Sequence, residues 1–190
     1  INLLNKNKQQ ILDAFPDESL IRRNTGYALD ELIRKYLLDY SKGKKFSLVP
    51  LICGSEGTLG VIVSAVLNLV NLPKHKGLMV AHFSSDEDSL ILVERLLDFQ
   101  PSAVEYIDKP TLDASKSNAL QQKNRVWINK DPQSVLIIEF FSNTEKELSA
   151  KLDSCKQWLL SNKAYHVGII SNKNYPKVWE IRKAGLGLLM

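Results

Sequence analysis

Two stretches of this 190-residue chain combine residue types that could do chemistry. The first is Gly54-Ser55-Glu56-Gly57-Thr58-Leu59-Gly60, three glycines recurring at every third position with two hydroxyls and one carboxylate between them. A glycine has no Cβ, so backbone there can adopt positive φ and come close to a flat or charged ligand. Successive N–H groups in such a turn also form a concavity that favours anions. No Gly-Lys-Ser/Thr follows, so this is not a Walker loop, and it is not a GxGxxG opening a helix. On the glycines alone, a tight turn feeding a strand is as good a reading as a ligand site. Glu56 can act as a base, receive a ribose hydroxyl, or accept hydrogen bonds from the turn's own N–H groups.

The second stretch is Trp179-Glu180-Ile181-Arg182. Trp179 and Arg182 stand three apart and share one helix face. A guanidinium offers a planar fork that matches a carboxylate bidentately. Taken alone, an arginine here reads most simply as a solvated or salt-bridged surface residue. The other reactive side chains give less. His75, His82 and His166 show no ligand spacing such as His-x-x-x-His, and His82 and His166 fall in strand patterns where a hydrogen-bonded structural role is expected. Cys53 precedes the glycine turn with no histidine or basic residue within a few positions, and reads as packing. No catalytic residue and no metal ligand is assigned.

The wider strings decide between the readings of the turn. Arg23-Asn24-Thr25-Gly26-Tyr27-Ala28-Leu29-Asp30-Glu31-Leu32, followed by Gly54-Ser55-Glu56-Gly57-Thr58-Leu59-Gly60-Val61-Ile62, resembles the FAD-linked oxidase and dehydrogenase family of the vanillyl-alcohol oxidase / p-cresol methylhydroxylase superfamily. The resemblance continues loosely to the last residues, and the stretch 33–53 is longer than the link expected between the two strings. It implies that Gly54, Ser55, Glu56, Gly57, Thr58, Leu59, Gly60, Val61 and Ile62 lie against FAD. It likewise implies that Arg182, on a helix similar to the family's substrate helix, binds a substrate carboxylate. Leu186 stands where some 2-hydroxyacid members carry a hydroxyl one helical turn after that arginine. The implied activity is oxidation of a D-2-hydroxy acid, of the D-lactate or glycolate type, to the 2-oxo acid by hydride transfer to flavin. An electron acceptor (a quinone, a cytochrome or an iron–sulfur partner) would complete the longer protein. In the family, the base and any metal-binding histidines would fall beyond Met190. The chain is therefore expected to be an internal piece of a larger flavoprotein.

Residues 1–15 predict a short helix with Leu4, Ile11, Leu12 and Phe15 on one stripe, ended at Pro16-Asp17. Leu20-Ile21-Arg22-Arg23 predicts a strand, Asn24-Thr25-Gly26 a turn, Ala28 to Leu38 a helix, and Ser41-Lys42-Gly43-Lys44-Lys45 a polar loop. Val61 to Val70 alternates apolar residues with Ser64 and Asn68 on its other face, the period of a half-buried strand. Asn71-Leu72-Pro73-Lys74 ends it. The expected division falls there, and the resemblance implies that 1–73 is the end of an FAD-binding domain and 74–190 a substrate (cap) domain.

The second part predicts strands at Gly77–Phe83, Ala103–Ile107, Ser134–Phe141 and Ala164–Ile170. Between them come a helix opened by a Ser84-x-x-Glu87 capping box with Leu90, Val93 and Leu97 on its face, and one opened by Thr144-x-x-Glu147 with Leu148, Leu152, Cys155 and Leu159. Asp108-Lys109-Pro110 starts a short capped helix, 116–132 is polar loop around Val126-Trp127-Ile128, and Pro176 begins a final helix. The order is βαββαβ, a ferredoxin-like α+β fold: a four-stranded antiparallel sheet with two helices on one face. A small-molecule-binding or regulatory module without catalysis of its own is the alternative that this pattern leaves open.

Composition bounds the rest. Apolar residues make up 44% and charged residues 24%, as in ordinary globular proteins. The net charge of +4 is dispersed rather than striped, which argues against a nucleic-acid partner. Two distant cysteines support neither a disulfide framework nor a zinc site and suit a reducing compartment. No apolar run reaches the ~20 residues of a membrane span. A cytoplasmic protein is expected, with peripheral membrane attachment of the longer protein left open.

Overall fold

The computed structural model describes residues 2–20, 26–38 and 46–189. It divides into two compact units, Ile1–Leu69 and Val70–Met190.

The first unit is helical. Helices α1 (Asn2–Lys6) and α2 (Lys8–Ala14) are followed by α3 (Leu29–Ile33), which runs on as a π-helical turn over Arg34–Leu38, and then by α4 (Val49–Cys53). The half-buried residues of the first two helices include Leu4, Ile11 and Leu12, as their helical spacing requires. Leu32 and Ile33 of α3 are fully buried. The predicted residues 21–25 and 41–45 lie outside the described residues. From Leu59 to Leu72 the chain runs without regular structure. Val61, Val63, Leu67, Leu69 and Leu72 stand in the open, Val63 at 94% exposure. The strand expected over Val61–Val70 is thus not formed. A strand needs a neighbour to take its N–H and C=O groups, and no described segment pairs with this one.

The second unit is a four-stranded sheet with helices on it. Its strands are β1 (His75–Phe83), β2 (Ala103–Asp108), β3 (Ser134–Ser142) and β4 (His166–Ile169), ordered β2-β3-β1-β4 with each neighbouring pair antiparallel. The intervening helices are α5 (Asp86–Leu96), α6 (Lys109–Ser117), α7 (Ala119–Gln122) and α8 (Glu145–Ser161), and α9 (Tyr175–Leu189) follows β4. The α+β class and the ferredoxin-like strand order hold.

The layering is fuller than a one-sided sandwich. On one face Met79, Ala81, Phe83, Leu136, Ile138 and Phe140 meet α5 and α8 through Leu92, Leu96, Leu152, Cys155 and Leu159. On the other, Leu78, Val80, Ile107, Val135 and Ile137 meet Leu112 of α6 and Val178 and Ile181 of α9, together with Trp127. The central strands β1 and β3 are therefore buried on both sides, which is why they read as continuous apolar runs rather than alternating ones. Gly77 permits the closest helix approach: a Cβ there would stand 2.7 Å from Leu152 Cδ1 and 2.9 Å from Leu148 Cδ1.

Local signals fared unevenly. Thr144 caps α8, its hydroxyl accepting from the Glu147 N–H at 3.3 Å, and the buried stripe is Leu148, Leu152, Cys155 and Leu159 as predicted. Only half of that capping box forms, because the Glu147 carboxylate instead accepts from Ser142 Oγ at 2.8 Å. Asp108 caps α6 through the Thr111 N–H, with Pro110 in the first turn. For α5 the cap is Ser85, not Ser84: its hydroxyl accepts from the Asp88 N–H. The buried face shifts accordingly to Ser89, Leu92 and Leu96, leaving Leu90 and Leu97 exposed. Residues 116–132 are more than loop. The Arg125 guanidinium donates to the Leu112 carbonyl and to Ser115 Oγ, folding the segment back so that Trp127 enters the core.

Candidate functional site

The glycine turn is assembled against the other string of the first unit. Gly54 sits directly on the Gly26 backbone, where a Cβ would lie 2.3 Å from the Gly26 carbonyl oxygen, so no larger residue fits. Ser55 is buried and spends its hydroxyl on the Ile52 carbonyl at 2.9 Å. Thr58 Oγ1 donates to the Ser55 carbonyl at 2.6 Å. With its hydrogen so used, Thr58 Oγ1 accepts from Tyr27 Oη at 2.7 Å. That bond ties the two strings together.

Glu56 and Gly57 take left-handed backbone, at φ 49° and 79°. Ser55 and Thr58 place their N–H groups on the Ile52 and Ser55 carbonyls, whereas the N–H groups of Glu56, Gly57, Leu59 and Gly60 have no partner among the described residues. Glu56, Gly57, Thr58, Leu59, Gly60, Val61 and Ile62 are all exposed, and among the described residues the Glu56 carboxylate accepts no hydrogen bond from the turn. What the turn presents is therefore open backbone donors in the curved conformation that suits an anionic or polar ligand edge, while its two hydroxyls hold the turn itself. These features fit a flavin nucleotide. Cys53, expected as packing, is instead exposed at the end of α4, because that short helix buries Pro50 and turns its last residue outward.

Arg182 lies in the second unit, on α9, at 46% exposure. Its Nε and Nη2 both donate to one oxygen of Glu105, at 3.0 and 2.9 Å. Glu105 projects from β2 on the same side as Ile107, and with Arg182 it lines a cleft of about 270 Å³ that also reaches Thr111 and Gly185. Gly185 keeps α9 near α6: a Cβ there would meet Thr111 Cγ2 at 3.4 Å. Glu105 carries no role in the sequence reading. The available signal was a carboxylate between Ala103 and Ile107 on the inward-facing side of a strand, where a charge needs a partner.

His82 is fully buried beside His166, Tyr165 and Trp127, with ring centroids 5.2 to 6.4 Å away. Its Nε2 accepts the Asn129 N–H at 3.2 Å, the structural role expected of it. Burial, and secondarily the neighbouring His166, push its pKa down to about 4. Burial also pushes the Cys155 thiol up to about 12, which keeps it an inert core group. Among the described residues no cluster of three or more His, Cys, Asp or Glu could hold a metal ion. No described helix is long and apolar enough to cross a membrane.

The second unit is thus an antiparallel β2-β3-β1-β4 sheet with Arg182 on its last helix. Residues 72–190 match the family model described as FAD linked oxidases, C-terminal domain, and the chain belongs to that family. It is 26% identical over 153 residues to the D-2-hydroxyglutarate dehydrogenase of Pseudomonas putida, covering 76% of this chain and 15% of that protein. To the D-2-hydroxyglutarate dehydrogenase of Escherichia coli it is 24% identical over 193 residues, 96% of this chain and 18% of that protein. To a D-lactate dehydrogenase of Archaeoglobus fulgidus it is 28% identical over 108 residues, 56% of this chain and 24% of that protein. The chain thus spans less than a fifth of the D-2-hydroxyglutarate dehydrogenases.

Proposed function

We propose that this chain is part of a FAD-dependent dehydrogenase that oxidises a D-2-hydroxy acid to the 2-oxo acid. Residues 1–73 would be the end of its FAD-binding domain and 74–190 most of its substrate domain. The observation that carries the reading is the seating of Gly54 on Gly26, with Tyr27 bonded to Thr58. It joins Gly26 and Tyr27 of the first string to the glycine turn, the two stretches that carry the family resemblance. FAD, when bound, supplies a two-electron acceptor for the hydrogen on C2.

The chain's own residues bind and orient. The open N–H groups of Glu56, Gly57, Leu59 and Gly60 hold the cofactor edge. The Arg182 guanidinium holds the substrate carboxylate and so orients the acid. In the reaction the C2–H bond breaks with its electron pair leaving as hydride, the hydroxyl proton goes to a base, and the C2–O bond becomes a carbonyl. Two electrons then pass to an external acceptor such as a quinone, a cytochrome or an iron–sulfur protein. Relatives named for D-2-hydroxyglutarate and for D-lactate support a 2-hydroxy acid of D configuration. Within that class D-lactate and glycolate are the smaller arm and D-2-hydroxyglutarate the dicarboxylate arm.

The test is anaerobic mixing of the full-length flavoprotein with D-lactate, glycolate, D-2-hydroxyglutarate and the L enantiomers of the chiral pair. Bleaching of the flavin band near ~450 nm by at least one D acid, and by neither L acid, is the expected result. A flavin that none of them reduces would overturn the assignment.

A further inference from the structure

We infer that Glu105 is a positioning residue for Arg182: it grips the guanidinium by one edge so that the other edge is presented to the substrate carboxylate. The inference rests on the substrate role proposed for Arg182 and adds a second residue to it.

A guanidinium has two edges able to bind a carboxylate in a fork. One is formed by Nε and Nη2, the other by Nη1 and Nη2. Glu105 takes the first, with Nε and Nη2 converging on its Oε2 at 3.0 and 2.9 Å. Nη1 has no partner among the described residues. The side chain is half in solvent, so the second edge can be reached from the cleft between β2 and α9. An unpaired arginine at this exposure would sample many rotamers, and fixing it on binding would subtract from affinity. A carboxylate planted on β2, a strand paired along its length with buried β3, holds it in advance.

The pair stands 77 residues apart in sequence, so it does not come from local helix geometry. Nor does its worth lie in stability, since a half-exposed ion pair contributes little there. Glu105 also neutralises Arg182 before substrate arrives. Loss of that competing charge would by itself tighten substrate binding, so positioning and competition predict opposite signs.

The experiment uses the full-length flavoprotein with Glu105→Ala, Glu105→Gln and Glu105→Asp, beside Arg182→Ala. KM and kcat are measured with D-lactate, glycolate and D-2-hydroxyglutarate. Because Glu105 acts on the bound ground state and the transition state alike, Glu105→Ala should raise KM about 2- to 12-fold while kcat stays within about twofold. Glu105→Asp should recover part of that rise, and Glu105→Gln should fall between. If the alanine variant does not fold, the glutamine variant, which keeps the shape, carries the test. In the 190-residue chain, the Arg182 Nε–H resonance should be shifted and slow to exchange with solvent, and should join the exposed arginines in Glu105→Ala. A KM that falls or does not move in the Glu105 variants, with Arg182→Ala defective, overturns the inference alone. Arg182→Ala reduced as readily as wild type overturns the substrate role and this inference together.

Discussion

The two units hold their shape by different means. In Val70–Met190, two apolar layers enclose a sheet whose central strands are buried on both faces. In the described part of Ile1–Leu69 the buried apolar side chains are few, chiefly Leu32 and Ile33 with Pro50, and a long apolar stretch stands in solvent. The second unit can stabilise itself. The first joins its two strings by one backbone approach, Gly54 on Gly26, and one side-chain hydrogen bond, Tyr27 Oη to Thr58 Oγ1, around a turn with open donors. A binding turn keeps its N–H groups free for a ligand and gives up the bonds that would have closed it on itself.

The contrast can be broken by truncation. Ile138, fully buried between β3 and the α5/α8 layer, should cost about 2–5 kcal/mol when replaced by alanine. Val63→Ala, at 94% exposure, should change stability by no more than about 0.5 kcal/mol. Urea denaturation of both variants gives the comparison, and equal losses would mean that residues 59–72 are packed after all.

Acid probes the second unit through His82. His82 has a folded pKa of about 4 against an ordinary value of 6.5, so the folded state resists the proton that the unfolded chain accepts. Stability from this group is complete above pH 6.5 and is lost as pH falls toward 4, about 2–3 kcal/mol by pH 4.5. Denaturation midpoints at pH 7 and pH 4.5 should converge in His82→Gln relative to wild type. A wild-type protein equally stable at both pH values would show that His82 is protonated without cost. A smaller effect belongs to the α8 cap: Thr144→Ala should lower stability by about 0.5–2 kcal/mol in the same denaturation experiment, with Thr144→Ser near wild type.

The same contrast governs what the sequence made legible. Strands and helices of the second unit could be read because their apolar periods report burial within the unit itself. The stripe Leu148, Leu152, Cys155, Leu159 and the caps Asp108 and Thr144 are local signals with local causes. The errors arose where competing local signals were equal, as with Ser84 against Ser85, or where a partner lay far off in sequence. The cover that α6 and α9 give the second face, and the Glu105–Arg182 pair, depend on packing across tens of residues. In the first unit the glycine turn was legible by its residue types, but its closure through Tyr27 was not. Val61–Val70 carries the alternation of a strand with no described strand beside it. Pattern alone records what a segment can pair with, not whether the pairing is made.

The central claim is that Arg182 holds the substrate carboxylate while the glycine turn holds the cofactor. The most direct measurement is anaerobic reduction of full-length Arg182→Ala by the panel of 2-hydroxy acids. A charged hydrogen-bonded pair is worth about 1.5–3 kcal/mol, so kcat/KM should fall roughly 10- to 150-fold. Arg182→Lys, which keeps the charge without the fork, should recover only part of it. Flavin reduction at the wild-type rate by every acid in the panel would contradict the account and leave Arg182 as a surface charge paired with Glu105.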